Sequence, residues 1–198
     1  MEIIARALYW LSWIIFWGTI AFAGLFFLRV MLNWMGANPF GRVPYYLTRI
    51  TEPMVRPIRY QFGRVPTMRF DLIPLVMGVM ILVTGLFLSG VIGQFGGILN
   101  NFAGLMARPP ATVRPYIGEL IKLIGLLYVV AIFLRFFLPF FGVGYSNKLF
   151  RFIFVITEPL LKPLRRLFVA GMFDFSPIVA MIIVQLLTGF LANAIGGM

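Results

Sequence analysis

The residues of this chain that can do polar chemistry are few, and they come twice. Arg29 ends an apolar stretch, and Thr51, Glu52, Pro53, Pro57 and Arg59 follow it. After an offset of 106 residues, Arg135, Thr157, Glu158, Pro159, Pro163 and Arg165 return in the same order. Each series closes with Asp-x-x-Pro, at Asp71 and Pro74 and again at Asp174 and Pro177, with Ser176 inside the second. Self-similarity at this spacing marks a duplicated structural unit. The basic groups Arg56, Arg59, Lys162, Arg165 and Arg166 suit a phosphate or carboxylate. Arg29, Glu52 and Asp71, with Arg135, Glu158 and Asp174, form two matched charge sets; any of these buried without a partner would be costly. Catalysis is poorly served. The chain has no cysteine and no histidine, so thiolate chemistry, imidazole haem ligation and conventional zinc sites are excluded. Ser12, Ser89, Ser146 and Ser176 therefore have no imidazole to activate them. No enzymatic activity, cofactor or metal is expected.

Positioning falls to hydrophobic elements. Hydrophobic residues make up 61% of the 198 and charged residues 12%, and mean hydropathy is +0.97, well outside the range of soluble domains. An all-α integral membrane protein is expected. Ala7 to Leu28 is uncharged and long enough for the ~30 Å hydrocarbon layer. Arg6 and Ala21-Phe22-Ala23 mimic a signal peptide. Arg29 matches Arg135, which ends an internal segment, so this stretch is read as a retained first span. The uncharged run from Leu72 to Ala107 is too long for one span and too short for two with a turn. A second span at about 72–94 is expected, followed by a polar, kinked or interfacial extension carrying Gly96, Gly97, Asn100, Asn101 and Gly104; a re-entrant loop is the alternative there. Spans at about 119–138 and 175–196 complete the set. Glu119 and Lys122 are placed at the outer end of the third span, free to snorkel.

Eleven Lys and Arg residues lie in the two connections inside the halves, from Arg42 to Arg69 and from Lys148 to Arg166, against Arg108 and Arg114 in the link between them. This asymmetry places both connections in the cytoplasm and both termini outside. The expected domains are 1–107 and 108–198, two parallel-repeat hairpins of a bacterial cytoplasmic membrane protein. The net charge of +11 points to orientation and anionic lipid rather than to nucleic acid. Tyr46, Leu47, Ile50, Met54 and Ile58 oppose Thr48, Arg49, Glu52, Arg56 and Arg59, so this segment and 149–167 read as amphipathic and interfacial. Their prolines remove amide donors, and the expected shape is a short helix to Thr51 or Glu52, then a bend. Asp71 and Asp174 read as helix N-caps, with Pro74 and Pro177 in the first turn. Gly85, Ser89, Gly93 and Gly97 form a small-residue stripe for close helix packing. Gln185 and Asn193 read as interhelical glue.

The pairing of an Arg-terminated span with TEPMVRPIR…FDLIP, and again with TEPLLKPLRRL…FDFSPIV, resembles the YggT, or YlmG-like, family, in two tandem copies over roughly residues 8–92 and 118–195. The second copy keeps Ser176 and Arg166, where the first has Ile73 and Tyr60. The resemblance implies a four-span bacterial inner-membrane protein linked to osmotic or ion homeostasis, cell division and nucleoid distribution, or haem attachment to a membrane cytochrome. A non-enzymatic scaffold or assembly factor is the function expected, binding anionic lipid and a membrane partner or a second copy. A small-ion or osmolyte conduit is the alternative.

Overall fold

The long uncharged stretches are helices in the computed structural model, which describes residues 2–38, 40–61, 73–141, 144–170 and 173–196. In chain order these are α1 (Glu2–Trp34), α2 (Arg42–Gln61), α3 (Ile73–Ala107), α4 (Arg114–Phe137), a 3-10 turn (Leu138–Phe141), α5 (Lys148–Phe168) and α6 (Ser176–Gly196). A two-residue antiparallel pairing of β1 (Val169–Ala170) with β2 (Phe173–Asp174) leads from α5 into α6. Helices α1, α3, α4 and α6 are long and apolar enough to cross a membrane. Ile124 and Leu127 on α4, and Ile182, Leu186 and Phe190 on α6, are exposed, as lipid-facing side chains would be.

Two expectations change. Helix α1 has 33 residues and α3 has 35; at ~1.5 Å per residue each is about 50 Å long and exceeds the hydrocarbon layer. The stretch beyond Gln94 is not a re-entrant loop, and the expected extension of the second span is helical. It continues α3 to Ala107, because most of the stretch is apolar and helix-compatible and the first proline comes only at Pro109. The second difference concerns the prolines. Helix α2 does not stop at Thr51 or Glu52 but runs through Pro53 and Pro57, and α5 runs through Pro159 and Pro163. Four-residue spacing puts both prolines of a pair on one stripe, so the carbonyls they free lie on a single face. Pro53, Pro159 and Pro163 are all exposed, so that face turns away from the protein.

The chain divides into two compact units, Ala7–Gly93 and Gln94–Met198 with Met1–Arg6. In the first, Phe26 of α1, Val55 of α2 and Met77 of α3 form a core flanked by Phe22, Ile73 and Ile81. The end of α1 is closed by Gly36, whose φ of 71° lets Gly36 N–H reach Asn33 O at 3.2 Å and Ala37 N–H reach Leu32 O at 3.0 Å, a Schellman cap. In the second unit Ile132 of α4, Ile153 and Leu161 of α5, and Ala180 and Val184 of α6 are buried.

Small residues set the helix contacts in both units. A methyl added at Gly85 would overlap Thr19, 2.6 Å from its Cβ, and one added at Gly125 would overlap Thr188, 2.8 Å from its Cβ. Thr19 and Gly125 stand at matching places in α1 and α4, as do Gly85 and Thr188 in α3 and α6, so the threonine and the glycine have changed sides. Gly93 faces Ser12, Ser89 is buried, and Gly97 has open space where a side chain would go. Of the four stripe residues, Gly97 is the one that makes no close contact.

Candidate functional site

Arg29, six residues after the buried Ala23 and three after Phe26, points off α1 toward α2. Its Nη1 donates to Thr51 Oγ1 at 2.6 Å and its Nη2 to Glu52 Oε2 at 2.8 Å. Thr51 is fully buried, and its hydroxyl donates to Leu47 O at 2.7 Å. That back-bond fixes the rotamer and leaves the oxygen lone pairs for the guanidinium. In the other unit Arg135 Nη1 donates to Thr157 Oγ1 at 3.0 Å, Nη2 to Glu158 Oε2, and Thr157 Oγ1 to Ile153 O at 2.7 Å. Each arrangement clamps an amphipathic helix to the end of the apolar helix before it. The Arg29 and Arg135 side chains are 14% and 7% exposed, so the pairs are partly desolvated and losing either partner would be costly.

Their surroundings differ. Arg29, Asn33, Leu47, Thr48, Glu52 and Pro74 line a cavity of about 370 Å³. At Arg135 the place of Thr48 is taken by Phe154, whose ring centroid lies 3.9 Å from the guanidinium carbon, a cation–π contact. Tyr128 Oη adds a hydrogen bond to Ile156 O at 3.1 Å.

The remaining expected site residues are distributed as follows. Asp174 does not pair with Arg135. Its Oδ2 accepts from Arg165 Nε at 3.1 Å, and its Oδ1 accepts from the Ser176 N–H at 2.9 Å and from Ser176 Oγ, which satisfies a free amide at the start of α6. Glu158 takes Arg135 because it follows Thr157 on the same helical turn. Pro74 and Pro177 are buried in the first turns of α3 and α6. Asp71 and the side chains of Pro57 and Arg59 lie outside the described residues. Arg56, Lys162 and Arg166 are exposed; they form no common cluster with the clamps but line the edges of α2 and α5. Among the described residues no group of three or more His, Cys, Asp or Glu gathers as a metal site would require.

At about 100° per residue, α5 has three edges. Phe150, Ile153, Thr157 and Leu161 are buried. Lys148, Arg151, Lys162, Arg165 and Arg166 share a second edge. Leu149, Phe152, Ile156 and Leu167, all exposed, share the third with Pro159 and Pro163. Helix α2 repeats the pattern with Leu47, Thr51 and Val55 buried, Arg42, Arg49 and Arg56 exposed on the basic edge, and Val43, Tyr46 and Ile50 exposed on the apolar one. The amphipathic reading anticipated two faces; the third is visible only once the protein-facing residues are known.

Sequence reasoning missed Glu119. It is not a snorkelling residue at a span end but is fully buried, because α4 starts at Arg114 and α3 extends alongside it. Its Oε1 accepts from Lys122 Nζ at 2.9 Å and from Asn101 Nδ2 at 3.0 Å, and its Oε2 has no hydrogen-bond partner. The charge one turn from Lys122 was legible, but its burial depended on the unforeseen length of α3.

The profile of the CCB3/YggT family matches residues 115–195, which runs from the start of α4 to the end of α6. An uncharacterized protein of Haemophilus influenzae is 30% identical over 174 residues, covering 86% of this chain and 85% of its own. Residues 115–195 of the chain are a CCB3/YggT family domain. No solved structure matches the chain. The match to the CCB3/YggT profile takes in the Arg135 clamp, the three-edged α5 and the Asp174 cap together.

Proposed function

We propose that this CCB3/YggT protein is a non-enzymatic scaffold of the bacterial cytoplasmic membrane, built from two tandem copies of the family hairpin, whose clamped helices α2 and α5 lie on the cytoplasmic leaflet and hold anionic headgroups. The observation that carries this is the three-edged helix. One edge rests on the protein, one offers large apolar side chains to acyl chains, and one offers Lys and Arg to phosphate, each worth about 1 kcal/mol near an anionic surface. The clamps keep these edges in register with the bilayer boundary, and the basic excess of both connections supports their cytoplasmic placement, with the termini outside. The second copy is supported by the recurrence of the Arg-Thr-Glu clamp and of the Thr–Gly helix contact in the N-terminal unit. A partner or second copy docking on the apolar helices would make this an assembly platform, in keeping with the roles the family resemblance implies.

The test is lipid retention by the full-length protein in nanodiscs of mixed phosphatidylglycerol and phosphatidylcholine, read by native mass spectrometry after release. Phosphatidylglycerol should be retained preferentially, and Arg56→Glu with Lys162→Glu and Arg166→Glu should abolish the preference. Equal retention of the two lipids by the unaltered protein would end this reading.

A further inference from the structure

Helix α6 carries two carboxamides that the fold leaves idle. Among the described residues the side chains of Gln185 and Asn193 make no hydrogen bond, and both are exposed. Thr188 Oγ1 donates to the Gln185 backbone carbonyl at 3.2 Å, but nothing reaches the Gln185 amide. Gln185 is the tenth of the 21 residues of α6, about 14 Å from its first residue at ~1.5 Å per residue. On a helix crossing a ~30 Å hydrocarbon layer it lies near the middle. An amide exposed there has no water to bond and needs a protein partner. Gln185, Gly189 and Asn193 are spaced by four and share one stripe, flanked by the exposed Ile182 and Leu186. Gly189 has open space where a Cβ would go, so packing within the chain does not call for a glycine. Helix α3, which follows the first Asp-x-x-Pro as α6 follows the second, has Leu82, Leu86 and Gly90 at the matching places. A helix in that position therefore forms without either amide, and the two amides serve something other than the helix itself.

We propose that this stripe is the face on which a second copy of the chain docks, α6 against α6, with Gln185 paired to Gln185 and Asn193 to Asn193 across a two-fold axis along the membrane normal. The occupant follows from the chemistry. A carboxamide is both donor and acceptor, so two of them facing across a two-fold axis exchange two N–H···O bonds, and an isologous contact demands such a self-complementary group. A second copy also presents its amides at the same depth and on a helix of the same direction. Gly189, one turn from each amide, lets the two backbones come close enough for these side chains to meet. The stripe itself holds no charge, although the chain carries +11, so two copies can approach on it without opposing Lys and Arg side chains. Lys122, which lines the same open recess, is paired with Glu119 at 2.9 Å. The proposal deepens the scaffold reading by naming a second copy as the partner, and it rests on that reading for α6 crossing the bilayer.

The chain has no cysteine, so single cysteines in the full-length protein report the contact in intact membranes under mild oxidation. Ile182→Cys, on the stripe but not one of its amides, should give a disulfide-linked dimer. Leu187→Cys, exposed on the far side of α6, and Val79→Cys, exposed at the matching place in α3, should not. In liposomes, energy transfer between dye-labelled copies at varied protein-to-lipid ratio should give a dissociation constant that rises at least tenfold in Gln185→Leu with Asn193→Leu. Gln185→Asn, which keeps a self-complementary amide, should retain most of the dimer. The proposal is overturned by a chain that stays monomeric at every protein-to-lipid ratio, by equal cross-linking from Ile182→Cys and Leu187→Cys, or by a dimer that the double-leucine variant leaves unchanged. A monomer that still prefers phosphatidylglycerol overturns this inference alone, and a dimer without that preference overturns the headgroup reading alone.

Discussion

The Arg29 and Arg135 clamps use the same three side-chain types at the same spacing, yet one stands on the wall of a cavity and the other lies under an aromatic ring. Thr48 and Phe154 occupy matching places on α2 and α5, Asn33 and Pro139 matching places after the two arginines, and Pro44 and Phe150 matching places at the helix starts. In each pair the N-terminal member is smaller or more polar. The conserved geometry is thus the hydrogen bonding, set by the Arg–Thr–Glu spacing, while access to the guanidinium is set by a neighbouring side chain that the motif leaves free to vary. A polar clamp tolerates either setting because its donors are satisfied locally; only the degree of desolvation changes.

Removing the arginines should separate the two most widely. Arg135→Met strands a glutamate and a buried threonine beneath Phe154 and should cost about 3–5 kcal/mol. Arg29→Met, relieved by the adjacent cavity, should cost less, and thermal unfolding in nanodiscs should rank the two in that order. Equal losses would mean that the aromatic cover is energetically idle. The helix contacts give the next largest effect. Gly85→Thr drives a second threonine into Thr19 and should cost about 1–3 kcal/mol. Combining it with Thr19→Gly recreates the arrangement of Gly125 and Thr188, and should recover most of the loss, as a double-mutant cycle would reveal.

Access itself can be exchanged. An arginine-selective dicarbonyl reagent should modify Arg29 faster than Arg135, as peptide mass spectrometry would report. Phe154→Thr should raise the Arg135 rate, at a stability cost of about 1–2 kcal/mol for the lost cation–π contact, and Thr48→Phe should lower the Arg29 rate. The smallest change is expected at the Arg165–Asp174 pair, whose side chains are 40% and 34% exposed. Arg165→Gln should alter stability by no more than about 1 kcal/mol, whereas Asp174→Ala, which also frees the Ser176 amide, should cost about 0.5–2 kcal/mol.

The amino-acid sequence by itself determined that the protein is helical, with four apolar segments long enough to cross a membrane and an amphipathic element after the first and third. Apolar run length and periodicity are local properties, and they survive without knowledge of the neighbours. Tertiary structure decided which partners the charges took. Asp174 and Glu158 were both candidates for Arg135, and the choice depended on the threonine side of α5 facing α4. It also decided that Glu119 is buried, since a carboxylate near a span end reads as solvent-facing until the helix beside it is known to extend 13 residues past Gln94. The open and covered states of the two clamps belong to the same class. Thr48 and Phe154 are unremarkable residues in their own segments and acquire meaning only from the guanidinium that packing brings beside them.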